Sequence, residues 1–269
     1  MQAELEMLIS TTGRSDLAWL DRMFPGGYGH FSLLIINQSE HGHRIDPATL
    51  PANIRIINQE GKGLSRSRNT ALKHARGKIL MIADDDVAYM PGFHEEVIRV
   101  HRQHNEPVII FPFLDENGVP WGDHRPLPYR MKDVEYVYSP QISFKRHLLD
   151  TTSIRFNEHF GLGTSLPDLE NRIFLTQLMR RSIPILYAGG QPIGKHPQVN
   201  SSFHIQRPGN IKARLAMYKL LYGAKVYPYF VKLMFFLLRK RFIAWKDLSY
   251  YWRWIKEFDP AGVQNGKEA

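Results

Sequence analysis

Four short runs of almost unbroken apolar residues, at 4–10, 31–37, 53–58 and 78–83, constrain this chain more than anything else in it. A strand with one wet face alternates apolar with polar residues. Runs such as Phe31-Ser-Leu-Leu-Ile-Ile-Asn37 and Lys78-Ile-Leu-Met-Ile-Ala83 do not alternate, so both of their faces must be covered. Residues 17–23 and 65–75 read as helices, the second with an inner face of Leu64, Arg68, Ala71, Leu72 and Ala75 and a stop at Gly77. A further helix follows Pro91-Gly92 and runs to about Arg102. Strands alternating with helices at this spacing predict an α/β fold, a mainly parallel sheet with helices on both faces. A chain of 269 residues with 43% hydrophobic content is large enough to bury one such core. Beyond it the pattern predicts strands at 107–113 and 141–146, a long Pro-, Gly- and Asp-rich loop at 114–130, and a glycine-bearing loop at 160–165. A helix at 169–181 follows.

The fourth apolar run ends directly in Asp84-Asp85-Asp86. Sheets of this kind bind ligands outside the carboxyl ends of their strands, where these aspartates fall. Adjacent carboxylates repel and raise one another's pKa unless a cation neutralises them. In a D-x-D arrangement the outer pair, Asp84 and Asp86, can approach one ion or its bound phosphate; the plainer reading is an acidic turn capping the next helix. The chain has no cysteine, which leaves oxygen and imidazole ligands and favours Mg2+ or Mn2+.

The stretch 58–92 resembles the donor half of family 2 glycosyltransferases, which have the GT-A fold. Gly63, Ser65, Arg68, Asn69, Ala75, Gly77, Asp84, Asp86 and Pro91 match that family's pattern position by position. Residues 155–163 with Asp168 and Glu170 resemble its acceptor half, and 196–202 its histidine motif. The resemblance spans about residues 4–204 and implies an inverting, metal-dependent transfer of a sugar, by family habit from a UDP-sugar, to an acceptor hydroxyl. It implies Glu170 as general base, with Asp168 in reserve, and Asp84, Asp86 and His196 around Mn2+ or Mg2+. Donor contacts would come from Thr11, Thr12, Arg14, Asn37, Gln38, Lys62, Ser65, Arg68, Asn69, Asp84 and Asp85. Two departures stand out. Asn37-Gln38-Ser39 replaces the acid that usually holds the nucleobase, and only Glu170 of the acidic pair aligns cleanly. The plainer reading of Glu170 is a first-turn acid that stabilises its helix, and that of His196 a surface histidine beside a proline. Acceptor choice would rest on loops such as 121–124.

These readings divide the chain into a catalytic domain at 1–208, with a donor half at 1–113 and an acceptor half at 114–208, and a tail at 209–269. A sugar nucleotidyltransferase would share the sheet but needs a glycine- and base-rich loop after its first strand, where Ser10-Thr-Thr-Gly-Arg-Ser15 has one glycine. A non-catalytic sugar-nucleotide-binding protein would not need Glu170. The formal charge of +9 resides in the tail, since residues 211–256 hold eleven Lys and Arg against one acid. Ile211, Leu215, Tyr218 and Tyr222 share one helical face, and Tyr251, Trp254, Ile255 and Phe258 another. Residues 229–238 are apolar but too few to span a bilayer, which takes about 20. The tail is therefore expected to lie on the inner face of a membrane, near a carbohydrate or lipid-linked acceptor; the alternative is that its helices pack on the catalytic domain or in a homodimer. A near-neutral donor half leaves no role for nucleic acid. Acids in the opening residues argue against a secretory signal, so a cytoplasmic, peripheral location is expected.

Overall fold

The structure is a computed structural model, which describes residues 3–39, 42–120, 134, 137–196 and 204–264. The loop 121–124 and most of the stretch 196–202 lie outside those residues.

The amino-terminal half follows the expected alternation. Strand β1 (Leu5–Thr12) leads through a single turn of helix, α1 (Leu20–Met23), to β2 (Ser32–Ser39) and β3 (Ile54–Glu60). Helix α2 (Leu64–His74), strand β4 (Ile79–Asp84), the short β5 (Ala88–Tyr89) and helix α3 (Phe93–Gln103) come next. The second half contributes β6 (Val108–Ile110), β7 (Ile142–Lys145), α4 (His147–Thr152), α5 (Glu170–Arg180), β8 (Ile185–Tyr187) and β9 (Gly194–Lys195). Helices α6 (Pro208–Tyr222), α7 (Val226–Arg239), α8 (Leu248–Glu257) and α9 (Pro260–Gln264) complete the chain.

Seven strands form one sheet in the order β3-β2-β1-β4-β7-β6-β8. β1 pairs in parallel with β2 and β4, β2 with β3, and β6 with β8; β7 alone runs antiparallel, against β4 and β6. The sequence did not reveal that reversal, because an apolar strand of four residues carries no direction. The unbroken apolar runs are explained by two cores. Met7, Ile9, Leu33, Ile35, Met81 and Ala83 point to one face of the sheet, under α1 and α3. Leu8, Leu34, Ile36, Leu80 and Ile82 point to the other, with α2 and α5. Alternate side chains thus reach opposite cores, as a pleated strand requires.

The carboxyl ends of β1, β2 and β4 lie side by side, in register from Ser10 to Ile36 and Asp84. A loop from the second half closes over them. Ser65 Oγ donates to the Phe160 carbonyl at 2.6 Å, and the Leu64 N–H to that of Leu162 at 2.9 Å. Gly161 (φ 104°) lies so close that a Cβ there would meet Ser65 Oγ at 3.2 Å. The start of α2 is therefore fixed by residues almost a hundred positions away.

The tail is joined to the body. Ala213, Ala216, Met217 and Leu221 of α6 share a core with Phe160, Leu166, Leu169 and Ile173. Ile211 and Leu215, expected on a free amphipathic face, are fully buried with Phe230, Leu233, Tyr251 and Ile255 of α7 and α8. The faces read as amphipathic in the sequence thus pack on protein, and a different face of α7 is left outside.

Candidate active site

A cavity of about 1160 Å3 opens at the strand ends, between the α2 amino terminus, the three aspartates, the start of α5 and the tail helices. It is lined by Thr11, Thr12, Gln38, Lys62, Arg68, Asp84, Asp85, Asp86, Asp168, Glu170 and His196, so most of the predicted site residues meet in one place. Arg14, Asn37, Ser65 and Asn69 are not among its lining residues.

Those four have other partners. Asn37 accepts from the Arg14 N–H at 3.0 Å and donates to the Arg14 carbonyl at 2.8 Å and Asn58 Oδ1 at 3.1 Å, which pins the loop after β1 to β2 and β3. Asn69 makes a paired amide contact with the backbone of Phe156, accepting at 2.8 Å and donating at 3.0 Å. Ser65 holds the 160–163 loop, as described above. The match of Ser65 and Asn69 to the family pattern thus marks residues that position the site. Gln38, although on the cavity wall, is 5% exposed and accepts from the Gly63 N–H at 2.8 Å.

The structure divides the three aspartates. Asp84 Oδ1 accepts from Arg68 at 2.8 Å. Asp85 Oδ2 accepts from Thr11 Oγ1 at 2.5 Å and from Arg14 at 2.7 Å. Asp86 Oδ1 faces His196 Nε2 at 3.4 Å. Three carboxylates on successive residues can be held together because each turns to a different partner.

Arg68 is the centre of this arrangement. Its side chain is 2% exposed, and it donates to Asp84, to Glu170 Oε1 at 2.9 Å, to Asn171 Oδ1 at 3.1 Å and to Ser139 Oγ at 2.5 Å. Its guanidinium also lies over the Phe156 ring, 5.4 Å from the centroid. Burial alone would lower its pKa, but Asp84 and Glu170 more than offset that and hold it above the ordinary arginine value. For Asp84 the scarcity of solvent pushes the carboxyl pKa up; Arg68 opposes the shift, while Asp86 and Glu170 add to it. Asp84 is thus a carboxylate that further positive charge would favour.

Asp168 and Glu170 flank Leu169, whose φ of 75° is unusual for a residue with a side chain. The chain turns sharply there, immediately before α5, and brings both carboxyls to the cavity. Glu170 is buried and ion-paired with Arg68. Asp168 is half-buried, accepts the Leu169 N–H at 2.7 Å, and has its pKa pushed up to about 6 by burial and then by the Glu170 charge. The sequence ranked Glu170 first; the geometry leaves Asp168 the more open of the two.

Asp86 and His196 could hold a divalent cation. His196 is buried, Asp86 is about half exposed, and the pair faces the cavity. Among the described residues no group of three or more His, Asp and Glu encloses an ion. A cation here would therefore complete its coordination with phosphate and water, as Mg2+ commonly does. Sequence reasoning missed Ser139, Asn171, Arg214, Tyr218, Tyr229 and Lys232, all of which line the cavity. Ser139 sits in a short turn without periodicity, and the tail residues reach the site only through tertiary packing.

Residues 44–169, from before β3 to the start of α5, match the family described as glycosyl transferase family 2. An uncharacterized glycosyltransferase of Methanocaldococcus jannaschii is 31% identical over 98 residues, 35% of this chain and 32% of that protein. Among solved structures, the 1–349 segment of S. aureus TarS is similar with a TM-score of 0.56 at 14% identity, over 82% of this chain and 66% of that one. A mannosyltransferase of Pyrobaculum calidifontis, solved with GDP-Man and Mn2+, has a TM-score of 0.52 at 14% identity, over 81% of this chain and 64% of that one. The chain thus spans about a third of the curated relative and just under two thirds of these solved chains. Just under half of it is thus similar to family 2 glycosyltransferases, and its fold is GT-A-like.

Replacing Arg68 by Met should destabilise the protein by about 3–5 kcal/mol, because two carboxylates lose a buried counter-ion. With Arg68 gone, nothing opposes the upward push of burial on the Asp84 carboxyl, so the loss is largest at neutral and higher pH. It shrinks as acidification protonates that carboxyl. Urea unfolding across pH measures this; a loss that is small and independent of pH would refute the ion-pair account.

Proposed function

We propose that this protein transfers a sugar from a nucleoside diphosphate donor to an acceptor hydroxyl by single displacement, with inversion at the anomeric carbon. The observation that carries the reading is the meeting of Asp84, Asp85, Asp86 and His196 with the carboxylates at the start of α5 in one cavity large enough for a nucleotide sugar. S. aureus TarS has also been solved with UDP and with UDP-GlcNAc, and the mannosyltransferase with GDP-Man. These support the donor class; UDP remains our reading for the base.

The residues then take distinct roles. Thr11, Thr12 and Gln38, at the ends of β1 and β2, line the end of the cavity suited to the nucleoside. Lys62 lies at the start of α2, where the helix dipole and a cationic side chain both favour phosphate. Asp86 and His196 would hold Mn2+ or Mg2+, which when bound offsets the charge that gathers on the leaving diphosphate. Arg68 keeps Asp84 and Glu170 in place. Asp168 takes the proton of the attacking hydroxyl: its carboxyl reaches the cavity, and a pKa of about 6 leaves it ionised at neutral pH yet basic enough to accept. Glu170, whose Oε1 is bound to Arg68, orients that guanidinium.

A sugar nucleotidyltransferase would bring a second phosphate chain to the loop after β1, and there Arg14 is engaged with Asp85 at 2.7 Å. A protein that only binds sugar nucleotides would have no use for Asp168. We further infer that the acceptor is a carbohydrate or lipid-linked glycan, met in the cytoplasm.

Release of nucleoside diphosphate from a panel of UDP- and GDP-sugars with Mn2+ tests the reading. Turnover should vanish with chelator and in Asp86→Ala, which should remain folded because Asp86 is exposed. Undiminished turnover of that variant in chelator would remove the metal role.

The general base has its own signature. The ionised form of Asp168 is the active one, so kcat/KM should fall as the pH drops through about 6. Asp168→Asn should lower kcat about a hundredfold or more with donor affinity kept. If Asp168→Asn turned over normally and Glu170→Gln did not, Glu170 would be the base.

A further inference from the structure

Helix α7 has two working sides. Tyr229, Lys232, Leu233 and Phe236 form part of the cavity wall. On another side, Tyr227, Val231 and Phe235 recur every four residues along one stripe, and Val231 and Phe235 are 63% and 66% exposed. This stripe continues into a groove of about 470 Å3 between α7 and α8, whose far wall includes Trp245, Leu248 and Trp252. Trp245 is 78% exposed. Exposed Arg239, Lys240 and Arg241 follow at the end of α7, and exposed Lys246, Arg253 and Lys256 lie on the segment and helix beyond.

We propose that this face docks on the surface of an anionic lipid bilayer, lying in the headgroup layer without crossing it. Three observations select that occupant. The first is charge: the stretch 211–256 carries eleven basic residues and one acid. Two copies of such a surface would repel each other, whereas anionic headgroups attract it. The second is side-chain chemistry, since exposed Trp and Phe flanked by Lys and Arg suit the boundary between headgroup and acyl chain. The third is length. The stretch Pro208–Arg239 is long and apolar enough on composition to cross a membrane. It bends at Gly223, however, and α6 is locked into the catalytic core through Ala213, Ala216 and Met217. The 14 residues of α7 rise only about 21 Å, short of the ~30 Å hydrocarbon layer.

Docking in this way sets the catalytic cavity beside the lipid, because one helix serves both. It does not depend on the chemistry proposed above, and the test reads no turnover.

The full-length chain is sedimented with vesicles of phosphatidylcholine alone or mixed with phosphatidylglycerol, at low and high salt. Two variants accompany it: Phe235→Ser with Trp245→Ser, and Arg239→Glu with Lys240→Glu and Arg241→Glu. All five positions are exposed, so the melting temperature should hold, and it is measured alongside. Partitioning onto the mixed vesicles should exceed that onto neutral ones by about tenfold, fall with salt, and drop about tenfold in each variant. Failure of the full-length chain to bind mixed vesicles, or binding by folded variants at the unaltered level, would overturn the proposal. So would a concentration-dependent dimer abolished by the serine variant, which would assign the groove to a second copy of the chain.

Discussion

A single buried cation holds the two halves of this protein together where they matter. Arg68 comes from α2, Asp84 from the end of a central strand, and Glu170 from a helix 102 residues further on than Arg68. None of the three is stable alone in that environment. A guanidinium with 2% of its surface exposed must be paired, and carboxylates near it must be neutralised. The cluster therefore forms only when sheet, α2 and α5 are all in place, and that same condition builds the cavity. Removal of one partner strands the others, which makes the geometry of the site and the integrity of the fold one problem.

Around this cluster the backbone is shaped by close approach. Gly161 and Gly163 sit at positive φ against the start of α2, and a Cβ on Gly163 would come within 3.0 Å of the Gly63 nitrogen. Leu169 adopts a left-handed conformation and turns the carboxyls on either side of it into the cavity. Strain at such a residue persists where its surroundings determine it, and the side chain of Leu169 is indeed buried in the core shared with α6. The tail thus supports the site from behind as well as walling it from the side.

Much of this was legible in the sequence, for identifiable reasons. Strands buried on both faces announce themselves as unbroken apolar runs, so β1, β2, β3 and β4 were each found to within about two residues. The three aspartates stood out because carboxylates are costly where they are crowded, whereas the acids near α5 were visible only through the family resemblance. What was not legible depends on distance. The reversal of β7, the pairing of β6 with β8, and the entry of Arg214, Tyr218 and Lys232 into the cavity are all consequences of packing between remote segments. Residues matched by family pattern were also harder to rank than to find. Ser65 and Asn69 match as well as Asp84 does, yet their hydrogen bonds show them holding loops in position. The tail gave the opposite lesson: its charge and aromatic content were evident, but the amphipathic faces visible in the sequence proved to be the packed ones, and the exposed stripe of α7 was found only in three dimensions.

The manner in which the donor is broken distinguishes single displacement from every other reaction. When water replaces the acceptor, the first sugar released can be followed by the NMR signal of its anomeric proton before mutarotation mixes the two forms. Single displacement in this cavity predicts free sugar of the opposite anomeric configuration to the donor, together with intact nucleoside diphosphate. Sugar of retained configuration would contradict the mechanism, and release of sugar 1-phosphate would contradict the class of reaction.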